Sequence, residues 1–221
     1  MDTATGGFVQ YWTAECLIEL ALNNNWDVIV QTGPFTPIGK RLIKLAKQNN
    51  ITLINITSDS SEIEKLQQCG AGYILNSTYH TFLEEFFNLA HKLRPKAFFD
   101  SIAGKLGSKI IQALPDSTPT YFHNGFKADK YQIPPEEFSD YKKTIKRFWL
   151  KDFISNQSHE FSEYLKSLVP QIWKLKEIEP VPESSYSNKS LIVRRFRLIE
   201  FDLAIEFVKM YNGLGVILLQ P

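Results

Sequence analysis

Residues 27–47 read DVIVQTGPFTPIGKRLIKLAK. The run 27–32 is apolar and rich in β-branched side chains, which predicts a buried β-strand. A Gly/Pro turn follows. From Ile38 onward apolar residues recur at helical spacing with basic residues on the other face, which predicts an amphipathic helix. A strand, a glycine turn and an amphipathic helix in this order indicate an α/β fold whose helices pack on a sheet.

The loop Gly33–Gly39 between this strand and helix is a predicted site for the pyrophosphate of a dinucleotide. Backbone N–H groups and the helix dipole both attract an anion at such a place. Thr36 suits the N-cap, Pro37 and Ile38 open the helix, and Gly39 lets helix and strand approach closely. The pattern departs from Gly-x-Gly-x-x-Gly, and Pro37 lacks an N–H. The alternative interpretation is a loop that only turns the chain.

The rest of the chain repeats this unit. Further strands are predicted at 51–57, 72–75, 96–101 and 120–124, and helices at 61–69, 79–92 and 105–114. Strands that alternate with helices run parallel, because local hairpins cannot join them. The sequence therefore predicts an α/β fold, a Rossmann-type doubly wound parallel sheet, over residues 1–176. Residues 177–221 are predicted to form a linker followed by a strand, a helix and a strand.

The composition narrows the classes of function. Lys and Arg number 25 against 24 Asp and Glu, a net charge of +1, which gives no broad positive field for nucleic acid. Cys16 and Cys69 lie far apart, and the histidines lack metal-ligand spacing. The longest apolar runs are too short to cross a bilayer. We therefore predict no metal, no nucleic-acid partner and no transmembrane segment.

Six stretches of this sequence resemble one known family. They are TGPFTPIGKRLIKLAK (32–47), INITSDSSEIEKLQQCGAGYILN (54–76), AFFDSIAGKLGSKIIQALP (97–115), TYFHNGF (120–126), TIKRFWLKDF (144–153) and FDLAIEFVKMYNGLGVILLQP (201–221). In order and spacing they are similar to the cofactor domain of the medium-chain dehydrogenase/reductase family, in its branch of quinone reductases and mitochondrial-type 2-enoyl thioester reductases. The resemblance implies NAD(P)H as the cofactor, and leaves open whether the site is occupied.

The resemblance places a cofactor contact after the second strand, at Ser58 and Asp59. Members that use NADPH often have Arg there. An acidic residue at this place favours the ribose hydroxyls of NADH, whereas an Asp there also serves as a turn or cap residue. The sequence leaves the choice between NADH and NADPH open.

Three further cofactor contacts follow from the resemblance. Ser101 lies in a turn similar to the family's D-x-x-G-G motif, in which Ala103 replaces the first glycine. Asn124 ends the fifth strand, where the backbone faces the nicotinamide. Phe148 lies in a segment similar to the GFWL motif of the enoyl reductases, with Arg147 in place of its glycine.

In this family a GroES-like catalytic domain precedes the nucleotide domain, and in the enoyl reductases it carries the tyrosine that donates the proton. The helix that resembles the family's entry helix begins here at residue 2. We therefore expect no catalytic residue in this chain, and a role as a nucleotide-binding or structural subunit of a larger assembly. The alternative is an active NAD(P)H-dependent reductase whose catalytic domain another polypeptide supplies. An RNA-binding Rossmann domain is disfavoured by the neutral charge.

The resemblance also bears on partners and location. In the family the last strand of the nucleotide sheet pairs with its copy, and segment 144–150 occupies that place here. We expect a homo-oligomer or hetero-oligomer that uses this segment and residues 190–219, because an unpaired strand edge is a template for association. The resemblance alone implies a mitochondrial location, with the cytoplasm as the alternative.

Overall fold

The computed structural model describes residues 4–123 and 130–168, with side chains from residue 9 onward, and the backbones of two strands at 192–197 and 215–220. The described strands and helices follow the predicted alternation closely.

The chain divides into two units, one of residues 13–148 and one of residues 1–12 with 149–221. The predicted boundary between residues 176 and 177 lies outside the described residues and stays a prediction.

The larger unit contains six strands. They are β1 (Val28–Thr32), β2 (Thr52–Thr57), β3 (Tyr73–Asn76), β4 (Ala97–Asp100), β5 (Pro119–Phe122) and β6 (Thr144–Arg147). The helices that alternate with them are α1 (Ala4–Asn23), which begins in the smaller unit, α2 (Pro37–Gln48), α3 (Ile63–Gln68), α4 (Phe82–Leu93), α5 (Gly104–Ala113) and α6 (Glu136–Ser139). A 3₁₀ turn at Ser60–Glu62 precedes α3.

The six strands form one parallel sheet in the order β3-β2-β1-β4-β5-β6. The order reverses between β1 and β4, and the two strands lie side by side there, with Val30 opposite Phe98. This arrangement is the doubly wound Rossmann topology. The predicted fold class is confirmed, and the loop after β1 lies at the carboxyl edge of the sheet, as predicted.

The core lies between the sheet and its helices. All five residues of β1 are buried, as are all four of β4, because helices cover both faces of a parallel sheet. The apolar face of α2 packs inward through Leu42, Ile43, Leu45 and Ala46. The fully buried Phe86 of α4 and Phe98 of β4 lie in the same cluster as Ile110 of α5. Apolar burial of this kind is the main force that holds the sheet and helices together.

The smaller unit contains helices α7 (Leu150–Ser155) and α8 (His159–Ser167) and strands β7 (Ile192–Arg197) and β8 (Gly215–Gln220). The two strands pair in parallel, as a strand-helix-strand unit requires. The helix predicted between them lies outside the described residues. Trp12 donates its indole N–H to the Leu165 carbonyl at 3.2 Å, which ties the start of the chain to α8.

The described helices include none with the length and apolar character that a membrane span needs.

Candidate functional site

The loop between β1 and α2 is held in one shape by its own backbone and by Thr36. Gly33 adopts a left-handed conformation with φ of 63°. Its carbonyl accepts hydrogen bonds from the Thr36 N–H at 3.1 Å and the Thr36 hydroxyl at 2.8 Å. The same hydroxyl oxygen accepts the Gly39 N–H at 3.1 Å, so Thr36 caps α2 as predicted.

The first turn of α2 leaves a donor at the sheet edge. Pro37 opens the helix and has no N–H, and the Gly39 N–H is used by Thr36. The Ile38 N–H has no partner among the described residues. Thr36 and Pro37 are exposed, so this end of the helix faces solvent. A free N–H at the positive end of a helix suits an anion.

Gly39 is the closest contact between α2 and the loop. A Cβ atom on Gly39 would lie 2.5 Å from the Gly33 carbonyl oxygen and 2.6 Å from the Pro34 Cα. Both of these atoms belong to the backbone and have no rotamer to change. Gly39 therefore has the role that the sequence predicted for it in helix packing. Its part in cofactor binding stays a prediction.

The neighbouring loop after β4 is organised around the fully buried carboxyl group of Asp100. Its Oδ1 accepts the Thr32 hydroxyl at 2.6 Å and the Ile102 N–H at 2.9 Å. Both of its oxygens lie 3.2 Å from the Ala103 nitrogen, and Oδ2 accepts the Tyr131 hydroxyl at 2.7 Å. Asp100 therefore joins the end of β1, the loop after β4 and the segment that carries Tyr131.

Ser101 and Gly33 lie next to each other, directly after the ends of β4 and β1. The Ser101 hydroxyl donates to the Thr32 carbonyl at 2.9 Å, and the Ser101 N–H donates to the Thr32 hydroxyl at 2.9 Å. A Cβ atom on Gly33 would collide with the Ser101 hydroxyl. Two of the predicted cofactor residues are thus adjacent, at the place where the strand order reverses.

Ala103 has a backbone conformation that suits glycine. Its φ is 61° and its ψ is −148°, a region that residues with a Cβ rarely occupy. Its N–H is bound by both carboxyl oxygens of Asp100, which helps to hold it there. The resemblance had marked Ala103 as a replacement for a family glycine, and the geometry shows why glycine fits this position.

Ser58 and Asp59 are exposed after β2, and Asp59 serves as a cap. Its Oδ1 accepts the Ser61 N–H at 2.8 Å, and hydrogen bonding to Ser61 holds the pKa of the Asp59 carboxyl below its usual range. Thr57 donates to the Glu62 carboxyl at 2.5 Å, which places a second acidic residue here that the sequence analysis missed. The cap interpretation of Asp59 is correct, and a cofactor role stays a prediction.

Basic and aromatic side chains lie beside this acidic pair. The ammonium group of Lys40 is 3.8 Å from the centre of the Phe35 ring, and that of Lys65 is 5.6 Å from it. Cations at such distances from a ring face are attracted to it. The region after β2 therefore holds charges of both signs, so charge alone does not choose between a ribose hydroxyl and a ribose phosphate.

The other two predicted contacts have different outcomes. Phe148 is buried directly after β6, and its N–H donates to the Phe122 carbonyl at 2.8 Å, which extends the pairing of β5 with β6. A cofactor contact by Phe148 stays a prediction. Asn124 lies outside the described residues.

His123 follows β5 at the same sheet edge and was not among the predicted contacts. Its N–H donates to the Asp100 carbonyl at 3.0 Å. Both ring nitrogens are buried and neither has a hydrogen-bond partner among the described residues. Burial lowers the pKa of His123 to about 4, although the charge of Asp100 acts in the opposite direction. The imidazole is therefore neutral at physiological pH.

Protonation of His123 is expected to destabilise the fold as the pH falls. Its folded pKa, about 4, is below the ordinary value of 6.5, so the unfolded chain takes up this proton first. The stabilisation is complete above pH 6.5 and is lost toward pH 4. Between pH 8 and pH 5 the loss is about 2 kcal/mol. The difference in the free energy of unfolding between the two pH values, measured by urea unfolding, should be smaller for His123→Phe than for the original chain. An equal difference in His123→Phe would contradict the assignment.

Comparison with known proteins agrees with this fold. No model of a protein family matches the chain. The mitochondrial enoyl-[acyl-carrier-protein] reductase of Dictyostelium discoideum is 22% identical over 184 residues, which are 81% of this chain and 49% of that protein. The chain is thus similar to reductases of the medium-chain dehydrogenase/reductase family. It spans about half the length of the curated relatives it matches.

Solved structures of a quinone reductase and of enoyl thioester reductases share the fold. A predicted NADPH:quinone reductase from Mesorhizobium loti superposes with a TM-score of 0.69 at 20% identity, over 98% of this chain and 59% of that one. The complex of Etr1p with NADP and crotonyl-CoA gives a TM-score of 0.55 at 17% identity, over 87% of this chain and 54% of that one. Among the described residues, no group of His, Cys, Asp and Glu has an arrangement suited to a metal ion.

Proposed function

We propose that this chain binds a nicotinamide adenine dinucleotide in the crevice between the β1–α2 loop and the β4–α5 loop. The observation that carries the proposal is the shape of the β1–α2 loop. Its backbone turns sharply at Gly33, approaches α2 at Gly39 and leaves the Ile38 N–H without a partner among the described residues. In doubly wound folds ligands bind at this point, where the strand order reverses.

The topology favours one direction for the proposed dinucleotide. With the pyrophosphate at the start of α2, the adenosine ribose lies on the side of β2, near Asp59. The nicotinamide half then lies on the side of β4 and β5, near Ser101 and His123. The neighbours support a nicotinamide cofactor, since one is named for NADPH and the other is a complex with NADP.

We infer that the reaction served is hydride transfer from NAD(P)H to an enoyl thioester or a quinone, as the relationship to these reductases suggests. We expect little turnover by this chain alone and a role as a subunit. Two titratable side chains at the nicotinamide side are poor proton donors. Tyr131 is bound to Asp100, and burial raises its pKa, while His123 is already deprotonated. General acid catalysis needs a donor with a pKa near the working pH.

Titration with NADH and with NADPH tests the proposal. We expect at least one of them to bind with a dissociation constant of roughly 1 μM to 1 mM, measured by calorimetry. The affinity ratio decides whether the carboxylates of Asp59 and Glu62 or the ammonium groups of Lys40 and Lys65 dominate at the ribose. An assay with crotonyl thioester or a small quinone on the same sample measures turnover. Absence of binding by both nucleotides at millimolar concentration would refute the proposal.

We also propose that the chain associates through β6. Within the described residues β6 has β5 as its one strand neighbour, and Thr144, Lys146 and Arg147 are exposed. A second copy that pairs along this edge would cover its backbone groups. Light scattering at micromolar concentration should give at least the mass of a dimer. A dispersed monomer would rule out association through β6.

We propose a mitochondrial location because both curated relatives are named as mitochondrial enzymes. Imaging of the tagged protein in cells tests this proposal.

A further inference from the structure

His123 has two buried polar atoms that form no hydrogen bond within the described fold. The residue as a whole is half-buried, but both ring nitrogens are out of contact with solvent and have no hydrogen-bond partner among the described residues. Buried polar groups in folded proteins are nearly always hydrogen-bonded, so each exception needs a reason. A ligand that completes the hydrogen bonds is one such reason.

The charge of Asp100 acts on the His123 ring, but the carboxyl group is not available to accept a hydrogen bond from it. Asp100 accepts the backbone N–H of His123 through its main-chain carbonyl. Its carboxyl oxygens are taken by Thr32, Tyr131 and the N–H groups of the following loop. The imidazole is thus held next to a saturated carboxyl group, without a bond to it.

The position of His123 points to one part of the proposed ligand. It follows β5 at the carboxyl edge, on the side of the crevice away from β2. The adenosine half of a dinucleotide lies toward β2. A group that contacts His123 therefore belongs to the nicotinamide half, provided that the proposed dinucleotide binding is correct.

The chemistry of the neutral ring also fits that half. A neutral imidazole presents one N–H donor and one nitrogen acceptor, and its tautomer adapts to the partner. The nicotinamide carries a carboxamide, which has both a carbonyl acceptor and an N–H donor. A protonated imidazole would be a donor at both nitrogens and would lie close to the positive ring of the oxidised cofactor. The low pKa of His123 avoids this.

We propose that one ring nitrogen of His123 forms a hydrogen bond with the carboxamide of the nicotinamide and so positions the hydride-carrying ring. This rests on the dinucleotide binding proposed above. His123 is in this respect a positioning residue for the nicotinamide half and has no role in binding the adenosine half.

The test compares whole and truncated ligands on His123→Phe. Phenylalanine has a similar shape and removes both unpartnered nitrogens, so the variant should fold and gain about 2–4 °C in melting temperature. Its affinity for the tighter of NADH and NADPH should fall roughly tenfold, which corresponds to about 1.4 kcal/mol. Its affinity for ADP-ribose, which lacks the nicotinamide, should stay within about twofold of the original chain.

Two amide variants identify the nitrogen that makes the contact. The side-chain amide of His123→Asn lies near the place of Nδ1, and that of His123→Gln lies near the place of Nε2. Both offer a donor and an acceptor, so the variant that matches the contacting nitrogen should recover most of the affinity. His91→Phe, at an exposed position of α4, is the matched control and should change neither affinity.

The outcomes separate this inference from the proposed function. If the original chain binds ADP-ribose and the dinucleotide but His123→Phe binds both as before, the positioning role is wrong and the proposed function stands. If His123→Phe melts earlier and loses both ligands equally, His123 is a structural residue and the inference is again wrong. If the original chain binds no nucleotide, both proposals fail together.

Discussion

Replacing Gly39 by alanine is expected to destabilise the larger unit by about 3 kcal/mol and to weaken nucleotide binding by about tenfold or more. The added Cβ would lie 2.5 Å from the Gly33 carbonyl oxygen and 2.7 Å from the Pro34 carbonyl carbon. Because these are backbone atoms, the β1–α2 loop must move away from the helix. That movement displaces the backbone that we propose to hold the pyrophosphate.

Gly72→Ala is the matched control for this experiment. Gly72 lies just before β3, and an added Cβ would meet nothing within 4 Å. Its substitution should change the free energy of unfolding by less than about 0.5 kcal/mol. Urea unfolding of both variants measures the free energy of unfolding, and titration with NADH and NADPH measures the nucleotide affinity. Equal stability of Gly39→Ala and Gly72→Ala would show that the close approach at Gly39 is not a constraint.

The fold was predictable because its signals are local. A run of β-branched residues such as 27–32 and the helical spacing that starts at Ile38 each report on a few neighbouring residues. The cap at Thr36 is local as well, since its hydroxyl reaches the N–H three residues later. Alternation of strands and helices then restricts the sheet to parallel order. The first five observed strands, β1 to β5, begin within one residue of their predicted starts.

The centre of the candidate site was not predictable in this way. Tyr131 contacts Asp100 across 31 positions of sequence, and no local pattern marks a tyrosine as the partner of a buried carboxyl group. The contact also depends on a third residue, Gly107. A Cβ atom on Gly107 would lie 2.5 Å from Asp100 Oδ2 and 2.7 Å from the Tyr131 ring, so only glycine leaves space for the two side chains to meet. The lack of a hydrogen-bond partner for the His123 ring nitrogens among the described residues is likewise visible only in the folded chain.

Ala103 and Phe148 show the limits of reasoning from a motif. The departure from glycine at Ala103 was visible in the sequence, but its strained φ became evident only with the three-dimensional arrangement. Phe148 was carried over from a motif as a cofactor contact, yet its described hydrogen bond is made to β5. A motif identifies a position in the fold, whereas the side chain's surroundings depend on residues far away in sequence.

Replacing Asp100 by alanine is expected to cost about 4 kcal/mol of stability. The change leaves four neutral donors without their acceptor, namely the hydroxyls of Thr32 and Tyr131 and the N–H groups of Ile102 and Ala103. Asp100 is fully buried, so water does not replace it without opening the loop. The N–H of Ala103 is also released from the bonds that help to hold its strained backbone.

Tyr131→Phe is the matched variant, since it removes one donor and keeps the acceptor. It should cost about 1 kcal/mol, because the Asp100 Oδ2 atom keeps the Ala103 N–H at 3.2 Å. The variant that combines Asp100→Ala with Tyr131→Phe has no Tyr131 hydroxyl that the loss of Asp100 could leave unsatisfied. Its loss of free energy of unfolding should therefore be smaller than the sum of the two single losses by roughly 1 kcal/mol. Urea unfolding of the three variants closes this cycle. Strict additivity would mean that the two side chains act independently, and the role assigned to Asp100 in joining β1, the loop after β4 and the Tyr131 segment would then be wrong.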